Sequence, residues 1–517
     1  MQPIDIDIRD KILKQDGNIV ICASAGTGKT YTIIEKINYE IKRDHKFRIF
    51  AAITFTKKAA KEIESRLAQP KSEGFVGTND GFILNEVILP FMYDVYGYEF
   101  KKELKPDYSI ENQFSRYEHG INKIRDTGFI CKYSDNRKNF TFELGLNILL
   151  NSEAARLYFE SKYYRFFIDE YQDSDKDMHK FFMYICNTLG IPLFIVGDIK
   201  QSIYGWRGGY VDGFINIIND SKFCKFVLKH NFRSTQSIQN YANMFMDDTR
   251  GDFIKVPFDK GVSCFAYKAM QHGLIRISEW VDTNKKTAFL IRRNDDAKNW
   301  AVKLNDIGLD FTFIPSSPLD NSELESEHVW IARDIAYYIL CELYSEFDFY
   351  DDIPNSDAYN FSKIKALLHK IEMSISDQDA FIDNCYLLYH IMGYEHNNRM
   401  TNEVEVLYEV IRDDQYLPTY NSNSYDHVVS TIHAAKGLQY KQVVILAENY
   451  NLNNEEDRNL HYVAVTRPEE RLLVLCNCAN MNGKMYCKQI DENISKVKNM
   501  GIDIVRSDVA ECTNSGE

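Results

Sequence analysis

Short, continuous apolar runs recur along the chain, and each is followed by a polar loop or by a helical pattern. The runs are NIVICAS, RIFAAITFT, YRFFIDE, PLFIVGD, TAFLIRR, KQVVILAE and RLLVLCN. Continuous Val, Ile and Phe runs of this length are typical of strands that are buried on both faces, as in a parallel sheet. After the first run, Ile33, Ile34, Ile37 and Ile41 fall at helical spacing. The repeated strand and helix units predict an α/β fold with parallel sheets and right-handed crossovers.

Two regions interrupt this rhythm. Residues 83–150 and 316–424 are polar, aromatic and weakly periodic, with helix-like stretches such as HVWIARDIAYYILCELY. We expect them to be mainly helical insertions into two α/β domains. The predicted organisation is a first α/β domain (1–82 and 151–250), its insertion (83–150), a second α/β domain (251–315 and 425–490), a reduced insertion (316–424) and a C-terminal tail (491–517).

Composition excludes several classes of protein. With 517 residues, of which 44% are hydrophobic, the chain is long enough for several folded domains and is not intrinsically disordered. The net charge of −14 argues against a protein that coats nucleic acid through a broad positive field, although a narrow basic groove stays compatible with it. The 11 scattered cysteines suit reduced thiols, and no leader or membrane segment is evident. We expect a cytoplasmic location.

The segment ASAGTGKT has the form of a phosphate-binding loop, with Ala in place of the usual first Gly. Such a loop turns its N–H groups toward the β-phosphate at the start of a helix. Gly26 and Gly28 would allow close approach of the backbone, Lys29 would reach the β- and γ-phosphates, and Thr30 would hold Mg²⁺. The predicted nucleotide-binding loop is Ala23, Ser24, Ala25, Gly26, Thr27, Gly28, Lys29 and Thr30.

Carboxylates follow another predicted strand, in YRFFIDEYQDSD. Asp169 would bind Mg²⁺, and Glu170 would polarise the attacking water. The competing interpretation is an acidic turn in an acidic protein, which the preceding apolar run disfavours. Phosphoryl transfer also needs cations on the developing charge. Arg233 and Arg467 follow apolar segments, but spacing alone does not distinguish them from surface arginines.

Seven segments taken together resemble a known family. ASAGTGKT, AAITFTKKAAKEIESRL, DEYQD, GDIKQSIYGWRGG, NFRS, TIHAAKGLQY and YVAVTR occur in the order expected of superfamily 1 helicases of the UvrD/Rep/RecB type. The resemblance implies two RecA-like P-loop domains, ATP and Mg²⁺ as cofactors, and a DNA-dependent ATPase and helicase or translocase with 3′ to 5′ polarity.

The resemblance also implies roles for individual residues. Gln201 would sense the γ-phosphate, Phe232 would stack on the base, Gln439 would lie near the ribose, and Arg233 and Arg467 would act as arginine fingers. The implied single-stranded DNA contacts are Phe55, Phe82, Tyr204, Trp206, Arg207 and His433. Stacking of bases on aromatic side chains is independent of base sequence, which suits such a track. Core packing is the competing interpretation for Phe55 and Phe82.

Further segments resemble one branch of this family more closely. GTNDGFILNEVILPFM, KNFTFELGLNIL and FIPSSPLD are similar to the helicase-like GajB family of the bacterial Gabija anti-phage defence system. Two of these segments lie in the predicted insertions. That resemblance implies a hetero-oligomeric complex with a GajA-type partner, which combines an OLD-family ATPase with a Toprim nuclease.

The sequence also departs from the helicase pattern. The family often places a Gln near residues 7 to 9 to read adenine, and this chain has Asp7, Ile8 and Arg9 there. We therefore expect relaxed base selectivity, with hydrolysis of GTP or deoxynucleotides. The small insertions leave three functions open: a DNA motor, a sensor of DNA ends or single strands that licenses a partner nuclease, and a stand-alone repair helicase.

Overall fold

A computed structural model describes residues 3–43, 45–67, 74–100, 104–107, 112–205, 208–255, 261–321, 324, 326, 328–353 and 359–499. The chain divides into two compact units. The first comprises Met1–Lys102, Asp135–Val281 and Ile432–Glu517, and the second comprises Glu103–Ser134 and Asp282–Thr431. Within the described part of the chain, no helix has both the length and the apolar character that a membrane crossing requires.

The strands coincide with the apolar runs of the sequence and add several short ones. They are β1 (Asn18–Ala23), β2 (Ile49–Thr54), β3 (Gly74–Thr78), β4 (Lys105–Pro106), β5 (Phe129–Ile130), β6 (Tyr163–Ile168), β7 (Leu193–Gly197), β8 (Phe223–Leu228), β9 (Val262–Tyr267), β10 (Thr287–Ile291), β11 (Thr312–Phe313), β12 (His427–Thr431), β13 (Tyr440–Leu446) and β14 (Pro468–Asn477).

The α-helices mostly follow the strands in the chain. They are α1 (Ile6–Lys14), α2 (Lys29–Ile41), α3 (Lys57–Arg66), α4 (Asn79–Ile83), α5 (Leu89–Tyr96), α6 (Tyr117–Thr127), α7 (Phe140–Asn151), α8 (Glu153–Lys162), α9 (Lys176–Asn187), α10 (Val211–Asn219), α11 (Gln236–Met244), α12 (Met270–Trp280), α13 (Asn294–Asp306), α14 (Val329–Leu340), α15 (Glu346–Asp352), α16 (Phe361–Met373), α17 (Gln378–Ile391), α18 (Asn398–Arg412), α19 (Leu417–Tyr420), α20 (Glu455–Val465) and α21 (Met481–Asn499).

A parallel six-stranded sheet forms the centre of the first unit. Its strand order is β3-β2-β6-β7-β1-β8, and Ile19 of β1 pairs with Phe194 of β7 on one side and with Cys224 of β8 on the other. Every residue of β6 and β7 is buried, as expected for strands covered by helices on both faces. The carboxyl ends of β6, β7 and β1 are therefore neighbours, and the loops that follow them meet at one edge.

Three further strands of the first unit run parallel in the order β13-β14-β9. Helix α20 lies in the chain between β13 and β14 and is buried on most of its surface. Its His461 is fully buried, and Nε2 lies 2.6 Å from the Tyr486 hydroxyl of α21. The turn after α20 leads directly to Arg467, so a rigid helix positions that side chain.

The second unit combines three parallel strands with a helical bundle. Strands β11, β12 and β10 pair in that order. Helices α14 to α18 surround one apolar core that includes Ile335, Leu368 and Leu407. Residues 103–134 belong to this unit, where Asp107 is buried and forms an ion pair with Arg399 of α18.

The predicted α/β class with parallel sheets is confirmed by these strands. The predicted domain bounds stay a prediction, and residues 103–134 of the predicted insertion 83–150 belong to the second compact unit. Within that unit, the buried carboxylate of Asp107 needs a cation, and Arg399 supplies it.

A buried ionic network fixes α2 at the end opposite its phosphate loop. Lys36 is fully buried and donates hydrogen bonds of 2.7 Å to the main-chain oxygens of Leu13 and Gln15. Its ammonium also lies 2.9 Å from the Glu40 carboxylate, which in turn lies 3.6 Å from the buried guanidinium of Arg165 on β6. Helix α2 is thus tied both to α1 and to the sheet.

Candidate nucleotide and DNA site

The loop between β1 and α2 has the backbone conformation of a phosphate-binding loop. Strand β1 ends at Ala23, and α2 begins at Lys29. Gly26 and Gly28 have φ values of 76° and 81°, in the left-handed region where glycine is favoured. A Cβ atom at Gly26 would also lie 2.5 Å from Oδ1 of Asn231. Both glycines of the predicted loop are therefore required by its shape, whereas Ala23 has an ordinary strand position.

The NFRS segment packs directly on this loop. The Phe232 main-chain N–H donates a 2.8 Å hydrogen bond to the Gly26 carbonyl, and the Asn231 side chain donates one of 3.0 Å to the Ala25 carbonyl. The Asn231 side-chain oxygen also accepts a 2.7 Å hydrogen bond from the Arg233 N–H. These contacts place Phe232, whose ring is 56% exposed, and Arg233 beside the phosphate loop.

Arg9 of α1, at the place where the family often has Gln, supports the same loop. Its guanidinium pairs with Asp5 at 2.9 Å, donates a 2.9 Å hydrogen bond to the Thr27 carbonyl and lies 5.0 Å from the centre of the Phe232 ring. Asp5 also accepts hydrogen bonds from the N–H groups of residues 229–230. Sequence reasoning noted the substitution but missed this role, which depends on contacts about 225 residues apart.

The carboxylates after β6 lie against the start of α2. Oδ2 of Asp169 accepts a 3.2 Å hydrogen bond from the Thr30 hydroxyl, and Oε1 of Glu170 lies 3.2 Å from Nζ of Lys29. Glu170 has a φ of 50°, an uncommon value for a residue with a side chain. Strained backbone of this kind persists where surrounding contacts hold it, and it is frequent at functional sites.

The two carboxyl groups differ in their ionisation. Burial, followed by the neighbouring charge of Glu170, raises the pKa of Asp169 to about 7. Burial also acts to raise the pKa of Glu170, but Lys29 and Lys436 outweigh it and lower that pKa below its usual value. Glu170 is therefore ionised at neutral pH. Asp169 is a buried carboxylate beside the hydroxyl of Thr30, which is the donor set expected to hold Mg²⁺.

The loop after β7 completes this edge of the sheet. The Gln201 side-chain amide donates a 2.7 Å hydrogen bond to Asp198, and the Asp198 N–H donates one of 2.9 Å to the side chain of Gln172. Lys200 is buried, and its ammonium donates a 3.0 Å hydrogen bond to the hydroxyl of Ser24 in the phosphate loop. The candidate γ-phosphate sensor, Gln201, is thereby linked to both the carboxylate segment and the phosphate loop.

Two arginines, Arg233 and Arg467, lie close to each other. Arg467 is 1% exposed, and its guanidinium donates to the carbonyls of Val463 and Leu438 and to the Thr466 hydroxyl, at 2.8, 3.3 and 3.0 Å. Arg233 donates a 3.4 Å hydrogen bond to the Thr466 carbonyl. Burial, and then the charge of Arg233, lower the pKa of Arg467 to about 9. Among the described residues, neither guanidinium forms an ion pair with an acidic side chain.

The implied DNA contacts are partly brought together. Phe55, Tyr204 and His433 are each half-buried, and the rings of Tyr204 and His433 have centroids 6.2 Å apart. Trp206 and Arg207 lie outside the described residues. Tyr204 and His433 therefore lie together, while Phe55 follows β2 with a partly accessible ring.

Phe82 has a different environment from the one implied for a DNA contact. Its side chain is fully buried, and its ring makes edge or tilted contacts with a group of aromatic side chains: Phe75, Phe159, Tyr163, Phe166 and Phe181. The DNA contact predicted at Phe82 is thus contradicted by its burial, and core packing explains this residue. Gln439, by contrast, is exposed in the turn that precedes β13.

Lys436, which sequence reasoning missed, contacts both the candidate nucleotide site and the candidate DNA surface. Its ammonium lies 2.6 Å from Oδ2 of Asp173, 3.1 Å from the Gln201 carbonyl and 4.5 Å from the centre of the Tyr204 ring. The signal that could have found it is its place in TIHAAKGLQY, three residues after His433.

Comparison with known proteins agrees with this geometry. A family model described as an AAA domain matches residues 10–207, and one described as a UvrD-like helicase C-terminal domain matches residues 426–475. The Gabija protein GajB of Bacillus cereus (strain VD045) is 35% identical over 501 residues, which cover 95% of this chain and 98% of that protein. The chain belongs to the GajB family.

Members of the wider helicase family match a smaller part of the chain. The ATP-dependent DNA helicase PcrA of Staphylococcus epidermidis is 25% identical over 275 residues, 44% of this chain and 38% of PcrA. DNA helicase II of Escherichia coli (strain K12) is 24% identical over 290 residues, 47% of this chain and 40% of that helicase. This GajB-family protein is therefore a UvrD-like helicase of the RecA-like α/β class, as the ordered motifs predict.

Proposed function

We propose that this GajB-family protein is a DNA-dependent ATPase and 3′ to 5′ DNA helicase or translocase, which acts in Gabija anti-phage defence. The observation that supports it best is the pair of neighbouring guanidiniums, fully buried Arg467 and half-buried Arg233, which lack a carboxylate partner among the described residues. Buried cations without a counterion favour an anion. The triphosphate of ATP, bound at the adjacent loop, is the anion that the site fits.

Hydrolysis follows from a change of partner at Lys29. In the structure, its ammonium lies 3.2 Å from Glu170. When the β- and γ-phosphates attract Lys29, the Glu170 carboxylate is released to accept a proton from water. The water oxygen bonds to the γ-phosphorus as the bond from that phosphorus to the β–γ bridging oxygen breaks, and ADP leaves with the electron pair.

The other side chains of the site stabilise the transferring group. Arg233 and Arg467 balance the charge that develops on the γ-phosphoryl oxygens, and Gln201 orients the group from the loop after β7. Thr30 and Asp169 would hold Mg²⁺, which when bound neutralises part of the phosphate charge. The 3.2 Å contact between the Thr30 hydroxyl and Oδ2 of Asp169 supports this assignment, because both oxygens are ligands that Mg²⁺ accepts.

Single-stranded DNA would bind over Tyr204, His433 and Phe55, with Trp206 and Arg207 assigned by resemblance. Stacking on aromatic rings is independent of base sequence, as a translocase requires. We also propose a hetero-oligomeric complex with a GajA-type partner that carries an OLD-family ATPase and a Toprim nuclease, on the basis of family membership. The compact insertions are the surfaces we assign to that contact.

A second function is favoured by the small helical insertion at residues 316–424. In this second function, the protein senses DNA ends or single strands and activates the partner nuclease without processive unwinding. Strand displacement on duplexes with a 3′ tail, measured beside DNA-stimulated phosphate release, separates the two functions. Displacement by the wild type but not by Glu170→Gln supports the helicase. DNA-stimulated hydrolysis without strand displacement supports the sensor. A rate of hydrolysis that DNA does not change contradicts both functions.

A further inference from the structure

Lys436 contacts three separate segments of the first unit through one ammonium group. Nζ lies 2.6 Å from Oδ2 of Asp173 and 3.1 Å from the main-chain oxygen of Gln201. The same atom lies 4.5 Å from the centre of the Tyr204 ring, within the range of a cation–π contact. The ammonium therefore touches the acidic segment after β6, the sensor segment after β7 and the candidate DNA surface.

On the hydrolytic side, both contacts of Lys436 lead to groups of the reaction. Asp173 ends the short turn that begins after Glu170, and its N–H donates a 2.9 Å hydrogen bond to the Glu170 carbonyl. Gln201 offers its main-chain oxygen to Lys436 while its side-chain amide is held by Asp198. A displacement of Lys436 would act on the backbone of both segments.

On the DNA side, Lys436 belongs to the turn that carries His433. Its N–H donates a 3.2 Å hydrogen bond to the His433 carbonyl. The ring of His433 lies against that of Tyr204, with centroids 6.2 Å apart. A base that stacks on Tyr204 approaches the ring on which the ammonium rests, and a neighbouring phosphate attracts the same charge.

We propose that Lys436 is the positioning residue that transmits occupation of the Tyr204 and His433 surface to the segments carrying Glu170 and Gln201. This inference rests on the proposed DNA-dependent ATPase. The simpler alternative is that Lys436 only neutralises the buried carboxylate of Asp173. In that case its loss disturbs the site equally with and without DNA.

The test compares phosphate release with and without a poly(dT) oligonucleotide and takes the ratio of the two rates. Energetic coupling between two sites is typically about 5- to 150-fold, so we expect Lys436→Met to lower the ratio at least about fivefold. Asp173→Asn is expected to lower it as well. Lys436→Arg is expected to restore most of it, because a guanidinium can keep both the ion pair and the contact with the ring.

Lys441→Met is the matched control, since Lys441 lies in the same segment but pairs with Glu469 and Glu470 at the surface. Its ratio is expected to equal that of the wild type. An unchanged ratio in Lys436→Met, or an equal fall of both rates, overturns the inference while the proposed function stands. A wild type whose hydrolysis ignores the oligonucleotide overturns the proposed function and the inference with it.

Discussion

Replacement of Arg467 by Met separates the catalytic contribution of a buried guanidinium from its effect on folding. The pKa of Arg467 falls from 12.5 to about 9 through burial and the charge of Arg233. That change corresponds to about 5 kcal/mol against the charged form. Its three hydrogen bonds contribute about 1 kcal/mol each, which leaves the side chain net destabilising by about 2 kcal/mol. Met fills a similar volume without charge.

We therefore expect Arg467→Met to keep or raise the thermal midpoint of unfolding while hydrolysis fails. Removal of an arginine finger lowers turnover by about 10³-fold or more, measurable as phosphate release at saturating ATP with single-stranded DNA. Thermal unfolding with and without ATP gives the second measurement. ATP binding raises the midpoint of the wild type by mass action, and the rise should be smaller in the variant.

Glu40→Gln is the control, because Glu40 is as buried as Arg467 but is the carboxylate between the buried cations Lys36 and Arg165, at 2.9 and 3.6 Å. Loss of one member of a buried pair destabilises by about 3–5 kcal/mol, so its midpoint should fall clearly. The reasoning would be refuted if Arg467→Met lowered the midpoint as much as Glu40→Gln does. Turnover within about tenfold of the wild type would equally refute the role of Arg467 as an arginine finger.

Three further outcomes follow from the geometry. Glu170→Gln should bind ATP in an equilibrium assay yet lower phosphate release at least about 10²-fold, and normal turnover would mean that another group accepts the proton. In Gly26→Ala, the new Cβ would lie 2.5 Å from Oδ1 of Asn231. The strain should weaken ATP binding, measured by calorimetry, at least about tenfold, since about 1.4 kcal/mol suffices for that change. Unchanged affinity would contradict the loop assignment. Burial lowers the pKa of His461 to about 3, and an unfolded His titrates near 6.5. The unfolded state therefore takes up the proton first, and the free energy of unfolding should fall by at most about 1.4 kcal/mol per pH unit as pH drops from about 6.5 toward 3. His461→Phe should flatten this acid-side slope of the thermal midpoint, and an unchanged slope would assign it to other groups.

The central strands could be predicted because burial on both faces leaves a continuous apolar run in the sequence. This holds for β6 and β7, whose residues are all buried. It fails for β8, an edge strand in which positions 224, 225 and 227 are exposed, so that polar residues interrupt the run. Edge strands are bounded by solvent on one side, and their pattern resembles that of a loop.

The candidate site could be predicted where a motif fixes the backbone, and not where the contact is long-range. Gly26 has the positive φ expected of a phosphate loop and Lys29 begins the following helix, while their contact with nucleotide stays a prediction. Phe82 occupies a matching position in the sequence, yet its ring points into an aromatic core, because a motif specifies a place in the chain and not the surroundings of a side chain. Lys436 meets Asp173 and Gln201 across 263 and 235 residues, a distance at which periodicity carries no information.

Arg9 has a practical consequence for the study of this protein. Its guanidinium already donates to Asp5, to the Thr27 carbonyl and to the Thr32 hydroxyl. Arg9 is therefore engaged in holding the loop, and we expect it to contribute little selectivity for adenine. Nucleotides that carry a fluorescent group on the base should then bind nearly as well as ATP and would report occupancy of the site directly.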